Sequence, residues 1–378
     1  MLNSFCLDDY NFACPPELIA QKTAGKGKTK ILICSRKSES FLSDSPCDFS
    51  LSDLEDSRHD LSDSSRDLKD SSRDLQILET PKIVDLFNEN DCLVVNNTKV
   101  IPARLFGETP FGGKVEILLV KELSFEDSGT VWEVLGKPGK NLRKGKEFFV
   151  GDVKCICENN NVVRFPISKT DFNKFLAENG HIPLPPYINR KDEQSDKDDY
   201  QTVFAKYAGA VAAPTASLHF SDEMVLALKA KGVSFAEVTL HVGPGTFQNI
   251  TETGDFRKHK MHSEFFEISS DAANAINKCK KKKGRVVCVG TTSMRVLETV
   301  AGEKGFVSAQ KGSTNIFIYP SYKFKCADGL LTNFHWAKSS LILLVSAFYG
   351  REKTLNAYKF AIENEMKFFS YGDGMLIL

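Results

Sequence analysis

Two grammars of hydrophobicity succeed one another along this 378-residue chain, and the change between them limits the fold. From Ala103 to about Phe165 the apolar residues come in short β-like pieces: KVEILLV, TVWEVLG, EFFVG, VKCICE and VVRFPI. Gly, Asn and charged turns separate them, and regular spacing of this kind reads as a small antiparallel barrel. After HIPLPPYINR, helix-period segments alternate with β-branched runs: DEMVLALKAKG, FAEVTLHV, DAANAINKCKKKKG, RVVCVG, TSMRVLETVAG, NIFIYP, LLTNFHW, SSLILLVSAFYG and LNAYKFAIENEMKFF. That alternation belongs to α/β folds. Upstream, CLVVNNTKVIPARLFG holds a strand-like run, an Asn-Asn-Thr turn and a second extended run. The expected fold is a larger α/β domain interrupted by an inserted small antiparallel β-barrel domain. Residues 1–102 form the first part, 103–178 the insert and 179–378 the remainder.

Charge is balanced overall, 49 basic against 49 acidic residues, but unevenly placed. Residues 39–75 hold eleven Asp/Glu and four Lys/Arg, which leaves 45 basic and 38 acidic residues elsewhere, a body of +7. A mildly basic body permits a nucleic-acid partner. Residues 50–75 repeat a D-S-S-R-D-L unit imperfectly, and their charge and lack of bulky apolar residues other than Leu predict that the acidic stretch 42–75 is a disordered loop. The ten cysteines lack zinc-type spacing: Cys155 and Cys157 stand as C-x-C with no second pair. With no signal peptide, reduced thiols in the cytoplasm are expected. The longest apolar run, SSLILLVSAFYG, is too short for a bilayer and predicts a buried helix. No heptads appear, so a monomer is expected.

The residues able to carry chemistry cluster in the second half. His219, His241 and His335 each close or follow an apolar run, in TASLHF, VTLHV and LLTNFHW. Strand ends of an α/β sheet present polar groups this way. The plainer reading of each is a hydrogen-bonded core histidine; three with one grammar point to a shared site. HKMHSEFFEI adds His262 and Glu264, without the H-E-x-x-H of a zinc site, and no metal is expected. RVVCVGTTSMRVLE reads as strand, turn at Gly290 and helix, capped by Thr291, Thr292 or Ser293. Such a helix start favours an anion, with Arg295 in support. Asp373 sits between two glycines near the C-terminus, where a final strand closes the sheet. Asn97, Lys99 and Arg104 flank the barrel entry, while Tyr187 and Arg190 lie in a Pro-fixed loop. Cations interleaved with an aromatic suit a phosphate chain with splayed bases; a solvated loop is the alternative. Lys278 to Arg285, KCKKKKGR, reads as a helix end facing water.

Taken together these segments resemble the S-adenosylmethionine:tRNA ribosyltransferase-isomerase family of queuosine biosynthesis. VVNNTKVIPARLFG, GGKVEILL, HIPLPPYI, YQTVFAKYAGAVAAPTASLHF, VTLHVGPGTFQ, HKMHSE, VGTTSMRVLE, IFIYP, LLTNFH, KSSLILLVSAF and KFFSYGDGMLI follow the family order from about residue 92 to the end. The resemblance implies S-adenosyl-L-methionine as co-substrate and, as partner, a tRNA whose wobble base is 7-aminomethyl-7-deazaguanine. The ribosyl group moves to that base and is isomerised, giving epoxyqueuosine, adenine and methionine. No membrane and no protein partner is implied.

Such chemistry needs a base beside the sulfonium, a donor for adenine, aromatic faces and an anion site. His219, His241 and His335 are the acid/base candidates, with His262 and Glu264 in reserve. Gly290, Thr291, Thr292, Ser293 and Arg295 suit the anionic group. Phe247, Phe334 and Trp336 are candidates for adenine or the sulfonium, and Asp373 is a further cofactor-site candidate. Asn97, Lys99, Arg104, Tyr187, Arg190 and Lys338 are candidates for holding tRNA. Departures from the family pattern fall at Gly27, where an Asp is usual, at Ser217 and Ser321, where Gly is, and at Trp336 and Ala337, where Leu and Pro are. A Ser forced to positive φ costs roughly 1 kcal/mol or more. An S-adenosylmethionine-dependent RNA methyltransferase and a non-catalytic RNA-binding module are the rival readings; the first lacks its Gly-rich signature, and the second needs no such histidines.

Overall fold

The structure, a computed structural model, describes residues 5–36, 75–126, 129–243, 245, 250 and 255–378. The acidic repeat up to Asp74 and Phe247 lie outside them. A nine-stranded mixed sheet carries the larger domain. Its strands run in the order Gln310–Thr314, Glu264–Ile268, Ser234–Leu240, Cys92–Asn96, Val286–Val289, Gly329–Asn333, Gly374–Ile377, Lys30–Cys34, Leu75–Glu79. Four central neighbours, from Ser234–Leu240 to Gly329–Asn333, are mutually parallel.

Central strands read as unbroken apolar runs because both faces are covered. Every residue of Cys92–Asn96, Val286–Val289, Gly329–Asn333 and Gly374–Ile377 is buried. Alternate side chains enter opposite layers. Cys92, Val94, Cys288 and Leu330 join one core with Ile276, Met294, Leu297 and Leu343 from the covering helices. Leu93, Val95, Val289 and Leu331 join the other, with Ile83, Met224 and Leu228. SSLILLVSAFYG forms the buried helix Ser340–Tyr349.

Strands between Arg104 and Phe165 close a six-stranded antiparallel barrel. Its strands alternate as a small filled barrel requires: in Val153–Asn159, Cys155 and Cys157 point inward. The helix Lys169–Asn179 adds Phe172, Phe175 and Leu176 to the barrel core. The protein is therefore an α/β domain carrying an inserted β-barrel.

Three local expectations change. NIFIYP forms no strand; the edge strand is Gln310–Thr314, just before it. The C-terminal strand Gly374–Ile377 does not close the sheet but lies inside it, between Gly329–Asn333 and Lys30–Cys34. The helix Thr291–Val300 is not capped by a hydroxyl side chain; its N-cap is Gly290, at φ +91°. Ser293 instead donates to the Val289 carbonyl at 2.9 Å.

Candidate active site

The carboxyl ends of the four parallel strands deliver Asn97, His241, Gly290 and Phe334 to one rim of the sheet. Open α/β sheets bind ligands at that rim. A cleft of about 730 Å³ opens there between Ala212–Ala216, Gly290–Thr292, Thr332–Trp336 and Phe369–Ser370. A second cleft, about 400 Å³, adjoins it through Thr291, Thr292 and Leu341 and is walled by Met261, Arg295 and Phe317.

Asn333 sits at the first cleft, buried and held from three sides. Its Nδ2 donates to the Phe369 carbonyl at 3.1 Å and reaches His219 Nε2 at 3.3 Å, while Oδ1 accepts from Thr215 Oγ1 at 2.9 Å. These partners make His219 Nε2 an acceptor and place the ring proton on Nδ1. From there the bonds continue in one direction: Nδ1 to Thr29 Oγ1 at 2.8 Å, Thr29 Oγ1 to Thr80 Oγ1 at 2.8 Å, and Thr80 Oγ1 to the Thr29 carbonyl at 2.6 Å. Both nitrogens of His219 are thus engaged within the protein, and burial lowers its pKa to about 4.

His335 stands differently. It lines the cleft, its Nε2 meets Thr332 Oγ1 at 2.8 Å, and Nδ1 has no partner among the described residues. Burial drives its pKa to about 3, so the ring is neutral. His241 does not line the cleft, though its neighbour Val242 does; its Nδ1 meets Thr98 Oγ1 at 2.8 Å and its ring stacks on Phe265. Burial lowers its pKa also, against the opposing pull of Glu267. His262 is exposed and lies against Gly245; it lines neither cleft, although its neighbour Met261 walls the second.

An aromatic wall faces the first cleft. Trp336 stacks on Phe369 at 4.3 Å, and Tyr187 tilts against Phe369 at 4.8 Å. Phe369 holds φ at +70°, a region where a bulky side chain is strained. Phe334 turns inward, fully buried and stacked on Phe368 at 4.7 Å.

The helix Thr291–Val300 starts at the junction of the clefts. Four other helices begin at a serine, Ser168, Ser221, Ser269 or Ser339, whose hydroxyl accepts a backbone N–H. Gly290 supplies none, so the first N–H groups have no side-chain cap. Arg295 and Glu264, separate candidates in the sequence, are each other's buried ion pair through Nη1. Glu264 also accepts from Gly243 N at 3.1 Å. Arg295 Nη2 and Thr292 Oγ1 are buried with no hydrogen-bond partner.

The remaining candidates are spread. Asp373 is outside the cleft lining; its carboxylate accepts the backbone N–H groups of Lys30 and Lys367 at 2.7 Å each and ties two strand starts together. Burial raises its pKa, with those bonds opposing. Asn97 is buried against Glu237 and Thr239. Arg104 pairs with Glu116, Lys338 with Asp8, and Arg190 makes a two-pronged pair with buried Asp196. Tyr187 is buried with its hydroxyl on Ser370. Lys99 is exposed and has no ion pair among the described residues. Thr215, Asn333, Phe369 and Ser370 were not singled out from sequence. Their neighbours in PTASLHF, LLTNFH and KFFSYGD were, and that proximity was the available signal.

A mixed sheet with a cleft at the carboxyl ends of its parallel strands, plus an inserted six-stranded barrel, defines the α/β class of the chain. The profile of the family described as queuosine biosynthesis protein matches residues 62–377. An S-adenosylmethionine:tRNA ribosyltransferase-isomerase of Caldanaerobacter subterraneus subsp. tengcongensis is 48% identical over 304 residues, 78% of this chain and 87% of that protein. One of Acetivibrio thermocellus is 48% identical over 303 residues, 78% of this chain and 86% of its own length. The crystal structure of S-adenosylmethionine tRNA ribosyltransferase from Thermotoga maritima superposes with a TM-score of 0.51 at 28% identity, covering 98% of this chain and all of that one. The chain belongs to the queuosine biosynthesis protein family, that of the S-adenosylmethionine:tRNA ribosyltransferase-isomerases.

Proposed function

We propose that the joined clefts bind S-adenosylmethionine and that the enzyme moves its ribosyl group onto the 7-aminomethyl-7-deazaguanine wobble base of tRNA. The products are epoxyqueuosine in tRNA, free adenine and methionine. One observation carries the assignment of the co-substrate: an uncapped helix start beside two buried, unpartnered donors, Arg295 Nη2 and Thr292 Oγ1. A carboxylate satisfies all of them, and the partial positive charge of the helix start adds to the attraction. The methionine end therefore lies in the second cleft. The sulfonium lies along Trp336, Phe369 and Tyr187, whose ring faces attract a cation.

The chemistry needs one proton removed from the 5′-carbon next to the sulfonium and one delivered to the departing adenine. His335 is the imidazole in the cleft with a free nitrogen, and its neutral form can accept the first proton and pass it to the second. His241 is the reserve. His219 is a positioning residue that aligns Asn333. The wobble base leaves its stack to reach the cleft, and exposed Lys99 attends its backbone.

The test supplies S-adenosylmethionine and tRNA bearing the aminomethyl precursor. Free adenine and a heavier wobble nucleoside are expected. S-adenosylhomocysteine would mean a methyltransferase, and no consumption of the co-substrate a binding module. His335→Ala should lower turnover by about 10²- to 10⁴-fold while both substrates still bind. Near-normal turnover would pass the role to His241.

A further inference from the structure

The barrel end remote from its junction with the α/β domain has no part in the cleft, yet it is built as a contact surface. At the junction, Arg104 bridges to His181 through paired backbone bonds. The strand Arg104–Glu108 then runs outward to the hairpin Thr109–Gly113. This tip is fixed rather than loose. Thr109 N donates to the Gly113 carbonyl at 2.8 Å, Gly112 N to the Thr109 carbonyl at 2.9 Å, and Gly113 N to Thr109 Oγ1 at 2.9 Å. The result holds Phe111 into solvent, 97% exposed. Phe106, 49% exposed, packs edge-on against His181 of the junction at 5.0 Å, and an open groove of about 1130 Å³ runs from it to Lys114 and Lys137–Pro138 nearer the tip.

The loop following that groove, Lys137 to Lys146, holds five cations and no acid. Lys137 pairs with Glu116, but Lys140, Arg143, Lys144 and Lys146, with Lys114 opposite, are exposed and have no ion pair among the described residues. Glu108, exposed at the same end, has no ion pair among the described residues, and Glu147 pairs with Lys154. A run of cations alone is commonly just a solvated face. A single exposed phenylalanine is ordinary too; what sets this end apart is the combination, a ring held outward by a hydrogen-bonded tip on the same barrel end as the cation loop.

We propose that this barrel end is a second tRNA contact: Phe111 stacks on an unpaired base, and the Lys140–Lys146 loop holds the adjoining phosphates. Cations interleaved with a rigid aromatic are what single-stranded nucleic acid binds. The inference rests on the tRNA-modifying reading above and extends it to a recognition surface distinct from the cleft.

The full chain is tested with tRNA carrying the aminomethyl precursor, by titration across a salt series and by steady-state kinetics. Phe111→Ala should weaken tRNA binding about 5- to 100-fold by loss of stacking. The triple variant Lys140→Ala/Arg143→Ala/Lys144→Ala should lower the slope of log K against log salt by about two to three. In both, KM for tRNA rises while KM for S-adenosylmethionine does not move, a split that general misfolding would not give. Wild-type affinity and salt slope in both variants overturn the proposal. So does a concentration-dependent dimer that Phe111→Ala abolishes without changing tRNA affinity, which would give the face to a second copy of the chain. A wild-type chain that binds no tRNA at all overturns the functional reading with it.

Discussion

His219 shows how residue type and residue role separate. Its ring is packed so tightly that a Cβ on Gly374 would fall 2.7 Å from Nε2. A histidine whose folded pKa is about 4, against an ordinary 6.5, favours the neutral form in the fold. The unfolded chain takes up a proton between those values and the folded chain does not. Its contribution is therefore complete above pH 6.5 and is lost as pH falls toward 4, on the order of 3 kcal/mol over the window. Urea unfolding from pH 7 to pH 4 should show this slope added to those of His335 and His241, and His219→Gln should make it shallower by the share of one histidine. An unchanged slope would mean that the ring titrates freely in the fold. At the two serine departures the backbone decides the cost. Ser321 holds φ +87° and bears the penalty of about 1 kcal/mol, whereas Ser217 is not at positive φ. Each of the three histidines ends or follows an apolar run, but only His241 and His335 follow strands, whereas His219 ends the 3₁₀ helix Thr215–His219; that both nitrogens of His219 are engaged depends on Asn333 and Thr29, residues distant in the chain.

At the scale of the element, the helix Thr291–Val300 links the cleft to the buried ion pair. Its start faces the cleft uncapped, and its buried face carries Arg295 to Glu264, next to the strand Glu264–Ile268. Removing one member of such a pair leaves a buried charge without its partner, which costs about 3–5 kcal/mol. Arg295→Met should therefore lose about that much stability in urea, and adding Glu264→Gln should restore most of it. Strictly additive losses would show that the two side chains are not coupled. Both variants should also bind S-adenosylmethionine more weakly, because Nη2 leaves with the guanidinium. The strand–turn–helix was legible in RVVCVGTTSMRVLE. The cap was not, because Thr291, Thr292 and Ser293 all qualify by type, and the positive φ of Gly290 decides where the helix begins.

For the molecule as a whole, the barrel and its helix share one apolar cluster while the sheet has two others. We propose residues 103–178 as the inserted unit, and separate cores predict separate unfolding. Calorimetry should resolve two transitions. Phe172→Ala, which removes a buried ring stacked on Trp132 and Phe175, should cost about 3–5 kcal/mol and lower one transition only. A single transition that moves as a unit would contradict this. The change in hydrophobic period near residue 165 made the two-domain plan readable, since strand and helix periods are local properties of the chain.

By itself the sequence determined what local chemistry can: the barrel strands, the α/β alternation, the buried helix Ser340–Tyr349, the family, and the short segments from which a cleft could be made. Tertiary structure alone decided the sheet order, with the last strand placed in its interior. It also decided that Arg190, Arg104 and Lys338 pair with Asp196, Glu116 and Asp8, that Phe369 adopts a strained backbone at the cleft wall, and that His335 rather than His219 faces the open space. The reason is one of range. Periodicity and turn chemistry act over a few neighbouring residues, whereas Lys338 and Asp8, or His219 and Thr29, are more than a hundred positions apart and meet only when the sheet closes over its two cores; Arg190–Asp196 and Arg104–Glu116 are closer in the chain, yet a loop and a hairpin must fold before they meet.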